Sequence, residues 1–290
     1  MTPEEFRTHA HQMVDWMADY LATVEARPVR AQVVPGEVLS RLPDAAPEDG
    51  EAFGQIFADF ENLIMPGMTH WQHPSFFAYF PANSSPPSVL AEMLTATLGA
   101  QCMSWQTSPA ATELEQRVMT WLAAMIGLPA GFEGVIEDTA STATLCALLS
   151  ARERAGGFQS NEQGVGAGPA LTVYCSSGCH SSIEKAVMIA GLGRDNLRKI
   201  AVDDAFAMRA DALDKALAED IDAGRPPCAV VAAIGTTGSS AIDPLAAIGE
   251  ICTKYGVWLH VDAAWAGSAL ILPEHRGLID GIEHADSFVF

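Results

Sequence analysis

The sequence predicts an α/β fold: a largely parallel sheet with helices on both faces. Three observations predict it. Short apolar runs recur at 171–175, 199–202, 229–234 and 257–261. Helical segments at 142–155, 181–190, 211–223 and 244–255 alternate with them, which is the pattern of βαβ units. The composition, 49 % apolar and 18 % charged over 290 residues, is that of a chain that buries a core, in one large domain with an extension.

The elements follow in order. Thr2-Pro3-Glu4-Glu5 carries a Thr N-cap, a proline at the first helical position and a capping-box Glu. The helix they open presents Phe6, Ala10, Met13, Met17, Tyr20 and Val24 at helical spacing and ends at Pro28. An extended arm rich in proline and acidic residues leads to Gly50. A second amphipathic helix, with Phe53, Ile56, Phe57, Phe60 and Ile64, stops before Pro66-Gly67. Two helices joined by an arm do not make a core, so they are expected to pack on the main body or on a partner subunit. The pattern changes near residue 86, which divides the chain into a helical segment and arm, 1–85, and an α/β domain, 86–290. Ser108-Pro109 starts a further helix with Leu114, Val118, Trp121, Leu122 and Met125, closed by Gly127 and Pro129. The glycine-rich stretch 164–168 precedes a strand, the reverse of a dinucleotide fingerprint, and reads as a surface loop.

Charge and cysteine usage narrow the function. Sixteen Lys and Arg against 36 Asp and Glu leave a net charge of −20, which argues against nucleic acid as a partner. The amino terminus is acidic and lacks the regions of a secretory signal, and no apolar stretch is long enough for a bilayer. Six dispersed cysteines are expected to be free, mostly buried thiols in the reducing cytoplasm. No metal site is expected, since a zinc centre would want a second close pair of Cys or His.

Three features could carry chemistry. At 134–144 a short run turns into a helix at Thr139-Ala140-Ser141, where backbone N–H groups, hydroxyls and the helix dipole favour an anion, although ordinary N-capping explains the same residues. Ser177-Gly178-Cys179-His180 follows a strand, with Ser181 and Glu184 reading as a capping box, so His180 lies at a carboxyl strand end, where such sheets bind ligands. In His260-Val261-Asp262 the alternation of a strand puts His260 and Asp262 on one face, with Asp262 nearest the ligand edge. A buried carboxylate there wants a cation. Anion cradle, imidazole and strand-end acid together match the needs of pyridoxal phosphate. His260 and Asp262 as metal ligands of a hydrolase form a remote competing reading, with His70 and His73 the other close His pair. There is no Gly-x-Ser-x-Gly elbow for a serine hydrolase.

At these residues the sequence resembles the pyridoxal-phosphate-dependent group II amino-acid decarboxylases, in the aromatic-L-amino-acid decarboxylase branch. The resemblance is carried by Met65-Pro66-Gly67-Met68-Thr69-His70-Trp71, His73-Pro74-Ser75-Phe76-Phe77-Ala78-Tyr79-Phe80-Pro81, Ser108-Pro109-Ala110-Ala111-Thr112-Glu113-Leu114-Glu115 and His260-Val261-Asp262-Ala263-Ala264-Trp265-Ala266-Gly267-Ser268. It implies the fold type I large domain, aspartate-aminotransferase-like, preceded by a helical dimerisation segment, and a homodimer whose amino-terminal helices wrap the partner. It implies that His180 stacks on the cofactor ring, that Asp262 pairs with the pyridine nitrogen, that Thr139, Ala140 and Ser141 hold the phosphate, and that Thr237 and Ala264 line the cofactor. Trp71, Tyr79, Phe80 and Pro81 match the substrate-side wall.

The reaction so implied is decarboxylation of an aromatic L-amino acid (tryptophan, tyrosine, phenylalanine or dihydroxyphenylalanine) to its amine and carbon dioxide. An oxidative deaminase giving aldehyde and hydrogen peroxide is the alternative, and a non-catalytic dimerising fragment another. Gln101 and Met103 stand at pocket positions that are usually apolar or aromatic in that branch, and Thr142 replaces an acidic residue. Relatives acting on glutamate, histidine or sulfinoalanine are disfavoured, because an acidic side chain would want an Arg or Lys and residues 69–87 contain none. Family members anchor the cofactor through a lysine in an Asn-Pro-His-Lys segment that follows a stretch like 285–290. None of Lys185, Lys199, Lys215 and Lys254, read as helical or surface residues, matches it. The expectation is therefore a piece of a longer parent that supplies the lysine, the end of the large domain and the small carboxyl-terminal domain, with the activity belonging to that parent.

Overall fold

The computed structural model describes residues 1–79 and 84–290. They form two compact units, Met1–Gly99 and Ala100–Phe290.

In the first unit, α1 (Pro3–Thr23) starts as its sequence dictates: Thr2 Oγ1 accepts the Glu5 N–H at 3.2 Å and Thr2 N–H donates to the Glu5 carboxylate at 2.6 Å. Its stripe meets the segment that begins with α2 (Phe53–Asp59) through aromatic edges, with Trp16 5.1 Å from Phe60 and 6.1 Å from Phe57, and the Trp16 indole N–H donates to Glu61 at 2.9 Å. The chain does not stop before Pro66-Gly67 as the sequence suggests. It widens into a π turn over Phe60–Ile64 and then tightens into a 3₁₀ turn, Met65–Gly67, where Pro66 sits early enough to need no donor. α3 (Pro86–Leu98), capped by Ser85 and closed by Gly99 at φ +59°, completes the unit, so the change of pattern at residue 86 lies inside this unit.

The second unit opens with α4 (Pro109–Ile126), ended by Gly127 in the left-handed conformation, followed by α5 (Ala140–Ala155) and the short α6 (Ser160–Gln163). Residues 165–167, read as loop, form a 3₁₀ turn. The sheet contains β1 (Thr172–Ser176), β2 (Leu197–Ile200), β3 (Pro227–Ala233), β4 (Trp258–Asp262) and β5 (Ser287–Val289), in the order β2-β1-β3-β4-β5 with every pairing parallel. The crossovers carry α7 (Ser181–Ile189), α8 (Ala210–Asp222) and α9 (Leu245–Tyr255). The second strand sits two residues earlier than the apolar run suggests, because Val202 pairs instead with Met208 in an isolated antiparallel bridge.

The alternation of the strands sorts two cores. Tyr174, Val230, Leu259 and Val261 join Leu213, Leu217 and Ile248 of α8 and α9. Val173, Cys175, Ala229 and Val231 join Leu148, Ile183 and Val187 of α5 and α7. Within the first core Tyr174 donates its hydroxyl to Asp220 at 2.8 Å, and Asp220, fully buried, also takes the guanidinium groups of Arg198 and Arg225. The six cysteines are free, but only Cys175, Cys228 and Cys252 are buried; Cys179 is half-buried, and Cys102 and Cys146 are exposed, so the expectation of mostly buried thiols overstated the core. Among the described residues no helix is long and apolar enough to cross a membrane.

Candidate active site

Because all five strands run parallel, their carboxyl ends share one edge, and three neighbouring strands deliver the candidate residues there. β4 ends at Asp262. Its Oδ1 accepts the Ala264 N–H at 3.2 Å, and burial raises its carboxyl above the ordinary range, against the pull of that N–H and of the nearby His180. This acid is poised to gain from a cation set against it.

β1 delivers His180, which does something the sequence reading assigned to Ser181. The capping box of Ser181 and Glu184 is not formed. His180 is the N-cap of α7: its Nδ1 accepts the Ser182 N–H at 3.2 Å and lies 2.9 Å from the Ser182 hydroxyl. The imidazole reaches the second free N–H of the helix, Ser181 becomes the first helical residue, and Glu184 pairs with Arg194. Nδ1 is thereby committed as an acceptor, and His180 as a whole remains exposed.

β3 ends at Ala233 and leads into Gly235, Thr236 and Thr237. Gly235 adopts φ +83°, and a Cβ there would lie 2.6 Å from the Trp265 ring, so glycine is required twice over. Thr236 is spent internally, its hydroxyl accepting the Ala241 N–H at 3.1 Å, while Thr237 is exposed. Asp243, which sequence reasoning missed, closes the loop by accepting the N–H groups of Ala233 and Met208, each at 2.7 Å. Its signal was an acid in an apolar setting, Ala241-Ile242-Asp243-Pro244.

The sequence places the candidate anion cradle at the first turn of α5. Thr139 is the N-cap, and its hydroxyl accepts the Thr142 N–H at 3.3 Å, so it serves its own helix first. The N–H groups of Ala140 and Ser141 precede the first intrahelical bond, and the side chain of Ser141 is exposed. α5 packs across β3, β4 and β5, and His260 fastens it to β4 and β5. That imidazole is buried between the Ser287 hydroxyl, 2.9 Å from Nδ1, and the Thr144 hydroxyl, 3.4 Å from Nε2, and burial pulls its pKa down to about 4. His260 is a neutral joint between β4, β5 and α5, with both nitrogens committed within the fold. His70 and His73 are likewise engaged, by the Tyr20 hydroxyl and by the Glu25 carbonyl. The hydrolase reading, which needs these rings as ligands, therefore has no support, and among the described residues no group of three or more His, Cys, Asp or Glu converges.

A cavity of about 710 Å³ borders Thr139, Ala140 and His260, but its lining includes neither Asp262 nor His180. It is not the candidate site. In the first unit the structure brings Trp71 and Tyr79 together, stacked at 5.9 Å, with Phe76 4.7 Å from Trp71 on the same ring. Tyr79 is 84 % exposed with φ +56°, and Phe77 is exposed too, so neither is core. Phe80 and Pro81 lie outside the described residues. Gln101 and Met103 belong to the second unit, and Met103 is 79 % exposed.

Residues 35–290 match the model of the pyridoxal-dependent decarboxylase conserved domain. The chain is 46 % identical over 296 residues to phenylacetaldehyde synthase of Arabidopsis thaliana, covering 99 % of this chain and 60 % of that protein. It is 44 % identical over 305 residues to human histidine decarboxylase, covering 100 % of this chain and 45 % of the relative. The crystal structure of Catharanthus roseus tryptophan decarboxylase in complex with L-tryptophan superposes with a TM-score of 0.93 at 41 % identity, over 99 % of this chain and 62 % of that one. The chain thus spans about half to three fifths of the length of these relatives. With a family model over most of its length, the chain belongs to the pyridoxal-dependent decarboxylases, whose cofactor is pyridoxal phosphate.

Proposed function

We propose that this chain is the cofactor-binding part of an enzyme that decarboxylates an aromatic L-amino acid to the arylalkylamine and carbon dioxide, acting as a homodimer. The observation that carries the proposal is Asp262: a half-buried strand-end carboxylate whose pKa burial raises, one oxygen held by the Ala264 N–H. Such an acid fits a protonated pyridine nitrogen, which supplies the missing positive charge. The other residues fit as well. The N–H groups of Ala140 and Ser141 and the Ser141 hydroxyl suit a phosphate, with Thr139 fixing the turn and Thr237 and Ala264 lining the edge.

When bound, pyridoxal phosphate supplies the sink for the electron pair left as carbon dioxide departs. The residues do the rest. Asp262 keeps a proton on the ring nitrogen, His180 offers a flat ring as a stacking surface with Nδ1 pinned to Ser182, and His260 holds β4 and α5 in register without titrating near neutrality. Trp71, Tyr79, Phe80 and Pro81, with Gln101 and Met103, are proposed to face the substrate. A flat, uncharged wall suits an aromatic side chain, and the absence of Lys and Arg from 69–87 disfavours an acidic one. The homodimer is supported by apolar side chains that the first unit leaves exposed, among them Leu90, Leu94 and Leu98.

The similarity to phenylacetaldehyde synthase favours a second reading, decarboxylation coupled to oxidative deamination. One assay separates them. The full-length protein is loaded with pyridoxal phosphate, offered tryptophan, tyrosine, phenylalanine, dihydroxyphenylalanine and histidine in turn, and its products are analysed for amine, aldehyde and hydrogen peroxide. Aromatic amine without peroxide supports the proposal; aldehyde with peroxide supports the second reading; histamine alone overturns the aromatic assignment.

A further inference from the structure

Three groups that the decarboxylation does not use meet at the carboxyl end of β1. Cys175, fully buried in β1, and Cys179, half-buried in the turn after it, have their sulfurs 3.1 Å apart. Lys199 of β2 pairs in register with Cys175, and its Nζ lies 2.9 Å from the Cys179 sulfur. Lys199, at the start of the strand-like run 199–202, is thus a strand residue committed to a thiol. The Cys179 N–H donates to the Ser176 carbonyl at 3.2 Å, so the turn holds the two sulfurs on one side.

The other thiols set this one apart. Burial pushes Cys228 and Cys252 up to about 12, and burial with the neighbouring Glu137 and Asp138 carboxylates raises Cys146. Cys179 moves the other way, to about 7, because the Cys175 thiol and the Lys199 ammonium support its thiolate against burial and against the Asp262 carboxylate.

We propose that Cys175 and Cys179 form a peroxide-oxidisable thiol site, with Cys179 as the attacking sulfur, Lys199 as its counter-charge and Cys175 as the resolving thiol. The oxidant is a hydroperoxide. The Cys179 thiolate attacks the peroxide: an S–O bond forms, the O–O bond breaks and hydroxide leaves. Cys175 then attacks the Cys179 sulfenic acid: the S–S bond forms, the S–O bond breaks, and the Cys175 proton departs with the hydroxyl as water. Two thiols lose two electrons, and with hydrogen peroxide the products are two waters. A disulfide is about 2.05 Å long, so the sulfurs close by only about 1 Å. This site stands on the thiols alone and is independent of which amino acid the enzyme takes.

The test uses the full-length protein, graded hydrogen peroxide, an alkylating quench and tryptic digestion. Cleavage after Arg154 and Lys185 puts both cysteines in one peptide, 155–185. The expected result is that this peptide loses the mass of two hydrogens, takes no label and regains both labels after dithiothreitol, at peroxide levels where Cys102 and Cys146 still label fully. Cys175→Ser, a near-isosteric change, should leave a Cys179 sulfenic acid that dimedone traps. Lys199→Met should slow the loss of label by roughly tenfold. Labelling of Cys175 and Cys179 in step with Cys102, or an unchanged rate in Lys199→Met, would overturn the proposal.

Discussion

The two units treat the same kind of sequence pattern differently. α5, α7, α8 and α9 each bury residues at helical spacing against the sheet, such as Leu213, Ala216, Leu217 and Asp220 in α8. None of α1, α2 and α3 contains a buried residue, although all three carry apolar side chains; Leu94 is 66 % exposed and Leu98 78 %. In the first unit only Val24, Met65 and His70 are buried among the described residues. An apolar stripe therefore states that a face will be covered, and does not state by what. The second unit covers its own faces because a parallel sheet offers two of them; the first has aromatic edges to share and little else.

The sharpest way to use this contrast is to strike the sheet edge, where chemistry and packing separate. Asp262→Asn should lower kcat of the full-length enzyme by about a thousandfold, on the order of 4 kcal/mol, while the thermal midpoint of the cofactor-free protein stays level or rises, since a raised carboxyl is relieved. A large fall in that midpoint would make Asp262 structural. Next comes the core itself. Leu217→Ala, at a fully buried position, should cost about 2–5 kcal/mol in denaturant unfolding.

The His260 joint should then show itself in pH. Unfolded, an imidazole takes a proton below about 6.5; folded, this one does not until about 4, so the unfolded state binds more protons in between. Its stabilisation is complete above about 6.5 and is lost as pH falls towards 4, a total of about 3 kcal/mol. His260→Asn should flatten the pH dependence of the urea midpoint between pH 7 and 5, and an unchanged slope would remove this role. The smallest effect belongs to the first unit. Leu94→Ser should change unfolding stability of the monomeric form by no more than about 0.5 kcal/mol, and sedimentation should show weaker self-association if α3 packs on a second copy.

Much of this was legible because it is local. The Thr2 cap, the β/α alternation and the strand-end position of Asp262 each depend on a few adjacent residues. What was not legible depends on distance or on competition. β5 is three residues, too short for a period to register. His260 is held by Ser287, 27 residues away, and by Thr144, 116 away. Two plausible caps competed at His180 and Ser181, and the imidazole won because its Nδ1 reaches the Ser182 N–H. The thiol pair was visible as a spacing of four, but Lys199 came to it only through the register of β1 and β2.

The carboxylate of Asp243 has a consequence for how the molecule breathes. It clips Met208, where the chain leaves β2 for α8, to Ala233, where the chain leaves β3. The excursion through α8 is therefore fastened at both ends by one side chain, and α8 cannot open without breaking the clasp. Amide protons from 208 to 233 should exchange with solvent as a single cooperative block, and Asp243→Asn should split that block into a fast helix and a slow strand.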